Sequence, residues 1–297
     1  IVFGDWSSDV CSSDLALWAH ERLIQHAAIS SDGERVATAS YDGTVRVWDT
    51  ASGLEMGPAR WHTNDGPGVT LLFHVGFSPD GTRVVSAGNR DARIWDVATG
   101  ELAVPPLAHG NEVRYAAFSP DGRKVMTASL DRTARLWDVS NGEPTGPPLE
   151  HEGGVLTAGW SFDSRWVATG ARDRRARVWE VATGRMLMVT PSHEGEITQL
   201  GFSPDGEHLV TADLSAAVRV WRSVDGQLVT LLNATGGVRQ ARFNPEGDRL
   251  IAGCADGVAR IWDWRSGELV VSLPHRTGGV GWRSEEHTSE LQSPNTI

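Results

Sequence analysis

Residues 112–138 read EVRYAAFSPDGRKVMTASLDRTARLWD, and the fold can be argued outward from them. EVRYAAF (112–118) alternates apolar with other side chains, as a strand buried on one face does. SPDG (119–122) follows, with Pro120 presetting φ at the second turn position and Gly122 closing a type I turn. KVMTAS (124–129) is the next strand, LDR turns, and TARLWD (133–138) is a third. VSNGEP makes a looser turn, and TGPPLE (145–150) leads out along an edge, where proline is tolerated. The stretch predicts four antiparallel strands.

The unit recurs. Trp48, Trp95, Trp137, Trp179, Trp221 and Trp262 each end a short alternating run: TVRVWD, DARIWD, TARLWD, RARVWE, AVRVWR, VARIWD. A turn sits upstream of each: SSDG, SPDG, SPDG, SFDS, SPDG, NPEG. Self-similarity near a forty-residue period, carried by short alternating segments, indicates an all-β repeat architecture. One such sheet cannot bury both faces, so neighbours must stack, and a ring of stacked sheets leaves few edges exposed.

Over residues 16–282 the chain resembles the WD40-repeat β-propellers, and its linkers WDVATGELAVPPLAHG and WDVSNGEPTGPPLEHE look like those of bacterial members. The resemblance implies a propeller of six complete four-stranded blades. It also implies a hydrogen-bonded tetrad in each blade, matched here by His20, Ser40, Asp42 and Trp48 and by His109, Ser129, Asp131 and Trp137. Buried indole and imidazole groups need partners, which a hydroxyl and a turn carboxylate can supply. The other blades depart from this pattern. The second has Asn89 for the aspartate, and the fourth keeps His151, Asp173 and Trp179 but has Ala171 for the serine. The fifth keeps His193 and Trp221 with Asp213 and Ser215 between them. The sixth has Ala234, Cys254, Asp256 and Trp262. These four are expected to depend more on packing than on polar networks. An arginine lies two residues before every repeat tryptophan (Arg46, Arg93, Arg135, Arg177, Arg219, Arg260). It is either a ring of charge for an anion or an amphipathic stem with a paired head; the latter is expected.

Both ends are foreign to the repeat. One choice of codons for RSEEHTSELQS (283–293), read on the opposite strand one base out of frame, encodes DWSSDVCSSDL (5–15). Inverted terminal DNA of this kind resembles read-through of a sequencing adapter, so residues 1–15 and 283–297 are expected to be non-native and disordered. Just inside them, ALWAH (16–20) matches the end of an outer strand and HRTGGVGW (275–282) the start of an inner one. They read as remnants of a severed further blade, so the six blades should leave a gap or close under strain.

Composition narrows the chemistry. The net charge of −11 disfavours nucleic acid, which needs a basic face. No stretch is long and apolar enough to predict a membrane span. Of the two cysteines, Cys11 lies in the foreign end and Cys254 stands alone, so no disulfide framework or metal pair is expected. His62 and His74 flank the insertion TNDGPG (63–68) without a third ligand, which argues against zinc. No G-x-S-x-G, Walker or HExxH segment occurs. The inner strands RYAAF, LTAGW, TQLGF and RQARF read as mostly small or apolar at inward positions, which weakens an enzyme with a channel site.

No catalytic residue, metal or cofactor is therefore assigned. The expected function is a non-catalytic protein–protein interaction scaffold, the sensor part of a larger bacterial signalling protein with a kinase or NTPase domain. Its partner is a protein or peptide, not nucleic acid or membrane, and the cytoplasm is the favoured compartment. A propeller enzyme and a nucleic-acid scaffold are the alternatives. In the family, partners dock on a rim where the residue before the turn aspartate is displayed. Here those positions are Tyr41, Leu130, Arg172 and Ala255, with Gly88 and Leu214 in the blades lacking that aspartate.

Overall fold

The structure, a computed structural model, describes residues 20–62 and 71–274. The expectations for residues 1–15, 63–68, 275–282 and 283–297, and for all of ALWAH except His20, lie outside the described residues.

Six four-stranded antiparallel sheets follow one another along the chain, and each keeps its strands in sequence order. The first is β1 (Ile24–Ile29), β2 (Arg35–Ser40), β3 (Thr44–Asp49) and β4 (Arg60–Trp61). The second is β5 (His74–Phe77), β6 (Arg83–Ala87), β7 (Asp91–Asp96) and β8 (Leu107–Ala108). The third is β9 (Val113–Phe118), β10 (Lys124–Ser129), β11 (Thr133–Asp138) and β12 (Leu149–Glu150). The fourth is β13 (Val155–Trp160), β14 (Trp166–Ala171), β15 (Ala176–Glu180) and β16 (Met186–Val189). The fifth is β17 (Ile197–Phe202), β18 (His208–Asp213), β19 (Ala217–Arg222) and β20 (Leu228–Asn233). The sixth is β21 (Val238–Phe243), β22 (Arg249–Cys254), β23 (Val258–Asp263) and β24 (Glu268–Pro274). This is the architecture of a six-bladed propeller.

Outer-strand length depends on proline placement. Pro58, Pro105 with Pro106, and Pro147 with Pro148 precede β4, β8 and β12, which are two residues long. Proline removes a ladder donor and fixes φ, so the outer strand is interrupted there and continues ahead of it only as an isolated bridge, as between Trp48 and Glu55. The leads into β20 and β24 lack proline, and those strands run six and seven residues.

The core lies between blades. Five apolar clusters each join two consecutive blades: one and two, two and three, three and four, four and five, and five and six. Trp137, for example, packs with Val85, Ile94 and Leu107 of the second blade, while its neighbour Leu136 faces Val155 and Val167 of the fourth. Alternation along one strand thus supplies two different seams. No cluster joins the sixth blade to the first among the described residues. Consistently, Leu23, Ile24 and Ile29 of the first blade are exposed, as are Leu269, Val270, Val271 and Leu273 of the sixth.

Candidate functional site

In the first five blades a polar network holds the turns of one rim. In the third blade Trp137 Nε1–H donates to Thr127 Oγ1 at 2.8 Å, and Thr127 Oγ1 lies 2.7 Å from His109 Nε2. His109 Nδ1 lies 2.8 Å from Asp131, whose carboxylate also accepts the Gly110 N–H. An indole can only donate and a carboxylate can only accept, which orders the relay. Thr127 accepts from tryptophan and donates to Nε2, and Nδ1–H donates to aspartate. The first blade repeats this with Thr38, at 2.9 Å from Trp48 and 2.7 Å from His20, and with Asp42 at 2.9 Å from His20.

The bridging hydroxyl is therefore Thr127 or Thr38, which corrects the assignment of Ser129 and Ser40. Ser129 instead accepts the Asp131 N–H and donates to the Asn111 carbonyl, each at 3.1 Å, and Ser40 does the same with Asp42 and Arg22. The correction restores two blades expected to be incomplete. In the fourth, Thr169 bridges Trp179 and His151, and Asp173 lies 3.1 Å from His151 Nδ1, so Ala171 costs no bridge. In the second, Ser86 bridges Trp95 and His62, and the carboxylate comes from Asp91 at 3.1 Å, two residues past Asn89. A Cβ at Gly88 would sit 2.7 Å from His62 Nδ1, so this blade can show no side chain at that rim position. The fifth keeps the Trp221–Thr211–His193 bridge, while Asp213 turns to Gly195 N–H and Ser215 and leaves His193 Nδ1 unpartnered. Only the sixth matches the expectation of packing: Ala234 and Ala252 join its apolar cluster, with Trp262 and fully buried Trp264 beside them.

The six arginines have paired heads. Arg46 meets Glu55 at 3.0 Å, Arg93 meets Asp91 at 3.2 Å, and Arg135 lies 3.9 Å from Asp131. Arg177 pairs with Asp173, Arg219 with Asp213 at 3.5 Å, and Arg260 with Asp256 at 2.6 Å. Burial pushes the Asp131 and Asp173 carboxyls up, but hydrogen bonds from their histidines, from Thr133 to Asp131 and from Arg177 to Asp173, hold both well below the usual range. Burial pushes His62 and His151 down, which keeps them neutral relay members.

These networks fix a rim at the turns from second to third strands. Leu214 stands two-thirds exposed, and its carbonyl would lie 2.7 Å from a Cβ on Gly237 of the next blade. Leu130 covers Gly154 with its side chain, whose Cδ2 would lie 2.9 Å from a Cβ there. Arg172 is exposed and reaches Glu196 of the fifth blade at 3.6 Å. Tyr41 packs edge-on against Phe73 of the second blade, and the Arg114 guanidinium lies 4.1 Å over that ring. Ala255 is exposed at the equivalent place in the sixth blade. Phe73, Arg114 and Leu23, whose carbonyl accepts the Tyr41 N–H, belong to this surface and were not singled out from sequence. Their signal is position, since each lies at or just before the start of an inner strand.

Two other groups differ from expectation. Asp205, Glu207 and His208 bring three ligand atoms within 4.8 Å of one another on the opposite turns, although Asp205 already accepts Ser203 Oγ and the Glu207 N–H. The inner strands carry more than small and apolar residues: His26 stacks on His74 at 4.0 Å, and His74 lies 4.2 Å from Tyr115. Cys254 is a buried thiol of the sixth apolar seam. Among the described residues, no helix is long and apolar enough to cross a membrane.

Comparison with known proteins agrees with this geometry. The chain matches the family described as WD domain, G-beta repeat, over residues 11–49, 62–96, 104–138, 143–180, 184–222 and 226–263. It is 31% identical over 135 residues to Protein HIR1 of Eremothecium gossypii, covering 35% of this chain and 16% of that one. It is 29% identical over 125 residues to Apoptotic protease-activating factor 1 of Rattus norvegicus, covering 41% and 10%. It is 29% identical over 120 residues to Eukaryotic translation initiation factor 3 subunit I of Emericella nidulans, covering 40% and 33%. The matches span a third or less of the length of these eukaryotic relatives.

Proposed function

The chain belongs to the WD40 family, and from that premise we propose that it is a non-catalytic protein-interaction scaffold whose partner docks on the rim formed by Tyr41, Leu130, Arg172 and Leu214. The observation that carries this reading is the placement of these side chains. Tyr41, Leu130 and Arg172 lean on the start of the next blade with their side chains and Leu214 with its backbone carbonyl, which leaves its side chain exposed, so apolar, aromatic and charged groups are held at one rim. Tyrosine and arginine are the types that dominate interface energetics when such a surface is covered. The parent protein is a larger bacterial signalling chain with a kinase or NTPase domain, and it works in the cytoplasm; the two proline-containing linkers support that context.

A propeller enzyme is the alternative. His26 and His74 give it titratable groups on the inner strands, but among the described residues no carboxylate pairs with either to make an acid–base couple, which favours binding over catalysis. The acidic net charge favours a protein partner over nucleic acid. The test is affinity capture with wild-type chain, the Tyr41→Ala/Arg172→Ala double variant, and a Phe162→Ser control at the exposed opposite turn. The expected result is one identified partner lost from the double variant and kept by the control. Equal recovery from all three would refute the rim.

A further inference from the structure

The inner strands repeat in register, so one position can be followed around the axis. Four residues before the first-turn Ser or Asn stand His26, His74, Tyr115, Thr157, Gln199 and Gln240. In five blades a ladder irregularity falls just before this residue, as between Ile24 and His26, which re-aims the side chain beyond it. Two residues further along stand Ala28, Gly76, Ala117, Gly159, Gly201 and Arg242. Five small residues leave room at this level, and the sixth is a guanidinium.

Arg242 borders a cavity of about 410 Å³ whose wall includes Tyr115, Trp160, Phe202 and Phe243. Among the described residues it has no carboxylate within ion-pair distance, unlike the six scaffold arginines. His26 and His74 stack on one another, and each has a buried Nδ1 with no hydrogen-bond partner. The carbonyls of Val75 and Ala116 lie against these two rings and engage one nitrogen of each. The charged and titratable groups that act on this cluster are His26, His74, Tyr115 and Arg242; no acid is among them. The strands β13 and β17 contribute only neutral side chains at this level, Thr157 and Gln199. Arg35 and Arg83 of the neighbouring strands donate to the Gly81 and Val139 carbonyls. The unpaired guanidinium, which shares a cavity with Tyr115 and whose charge acts on both imidazoles, repels a metal cation and suits an oxyanion.

We propose that this axial site binds a phosphate group, free or as a small phosphomonoester, with Arg242 pairing its oxygens and His26, His74 and Tyr115 supplying the remaining hydrogen bonds. The site is independent of the rim. Each ring presents N–H donors on both nitrogens only as the imidazolium. Binding therefore takes up protons and tightens as pH falls. Burial and Arg242 hold both histidines below their ordinary value in the absence of the anion.

The experiment is calorimetric titration of the whole chain with inorganic phosphate, phenyl phosphate and sulfate, against chloride at matched ionic strength. Saturable one-to-one binding of a phosphate is expected, reduced at least tenfold in Arg242→Gln and within a few-fold of wild type in Arg242→Lys. Arg242 is exposed, so both variants should unfold at the wild-type midpoint. Sulfate keeps its charge between pH 8 and 6, so its tightening over that range, absent in His26→Gln/His74→Gln, reports the imidazoles. Tighter phenyl phosphate assigns an ester as the source, and tighter inorganic phosphate assigns the free ion. No saturable binding of either, equal binding by Arg242→Gln, or the same response to chloride would overturn the site.

Discussion

Replacing Thr127 by valine keeps the shape of the side chain and removes one oxygen. That oxygen is 2.8 Å from Trp137 Nε1 and 2.7 Å from His109 Nε2, in a side chain with no solvent exposure. Its loss leaves an indole donor and an imidazole acceptor buried without partners. At about 1–3 kcal/mol for each of the two orphaned neutral groups, the cost is roughly 2–6 kcal/mol. Ser129→Ala removes an equally buried hydroxyl only two residues away, but its bonds to the Asp131 N–H and the Asn111 carbonyl are longer, at 3.1 Å each, and neither partner is a tetrad ring. About 1 kcal/mol is expected there. Thr127→Ser keeps the relay and loses one methyl, costing about 1 kcal/mol. Urea unfolding followed by circular dichroism ranks the three by midpoint. In a Trp137→Phe background, which lacks the indole donor, Thr127→Val should cost about 1–2 kcal/mol less than in wild type. A Ser129→Ala midpoint as low as that of Thr127→Val would refute the assignment of the bridge.

Asp131→Asn and Asp173→Asn should each lower the melting temperature at pH 7. Their carboxyls are held below the ordinary value, so the stabilisation is complete above about pH 4 and fades as pH falls below it; the gap to wild type should close in melts from pH 6 to 2. His74 titrates in the other class but with the same sign, because burial keeps it neutral in the fold while the unfolded chain takes a proton near pH 6.5. In phosphate-free buffer, His74→Gln should lose less stability than wild type between pH 7.5 and 5. Gly122 holds φ of 72° with only ordinary contacts awaiting a Cβ, so Gly122→Ala should cost about 1–2 kcal/mol in urea midpoints through backbone strain alone.

Much of the architecture could be read directly. The strands proposed at 124–129 and 133–138 coincide with β10 and β11, because alternation and turn chemistry are local properties. The tetrad was half legible. Thr127 and Ser129 lie on the same face of one strand, so period-2 reasoning cannot separate them. Only the register, with Trp137 opposite Val125, puts Thr127 within reach and leaves Ser129 about 7 Å further along. Asp91 was hidden for a related reason, since the carboxylate moved from the turn onto the strand. The axial cluster was not legible, because His26, His74 and Arg242 belong to three different repeats. Nothing local indicates that Arg242 lacks an acid while Arg260, eighteen residues on, has one.

Among the described residues five seams join six blades, and this sets an order of events. An interior blade is held on two faces and each terminal blade on one, so nearest-neighbour coupling makes opening cheapest at the two ends. Backbone amides of β1 and of β22 to β24 should exchange with solvent deuterium before those of β10 and β14. Protease nicks would then accumulate from the ends inward. The third and fourth blades would be the last to retain protection, and a variant there would report on the whole array where one in the sixth blade reports only on itself.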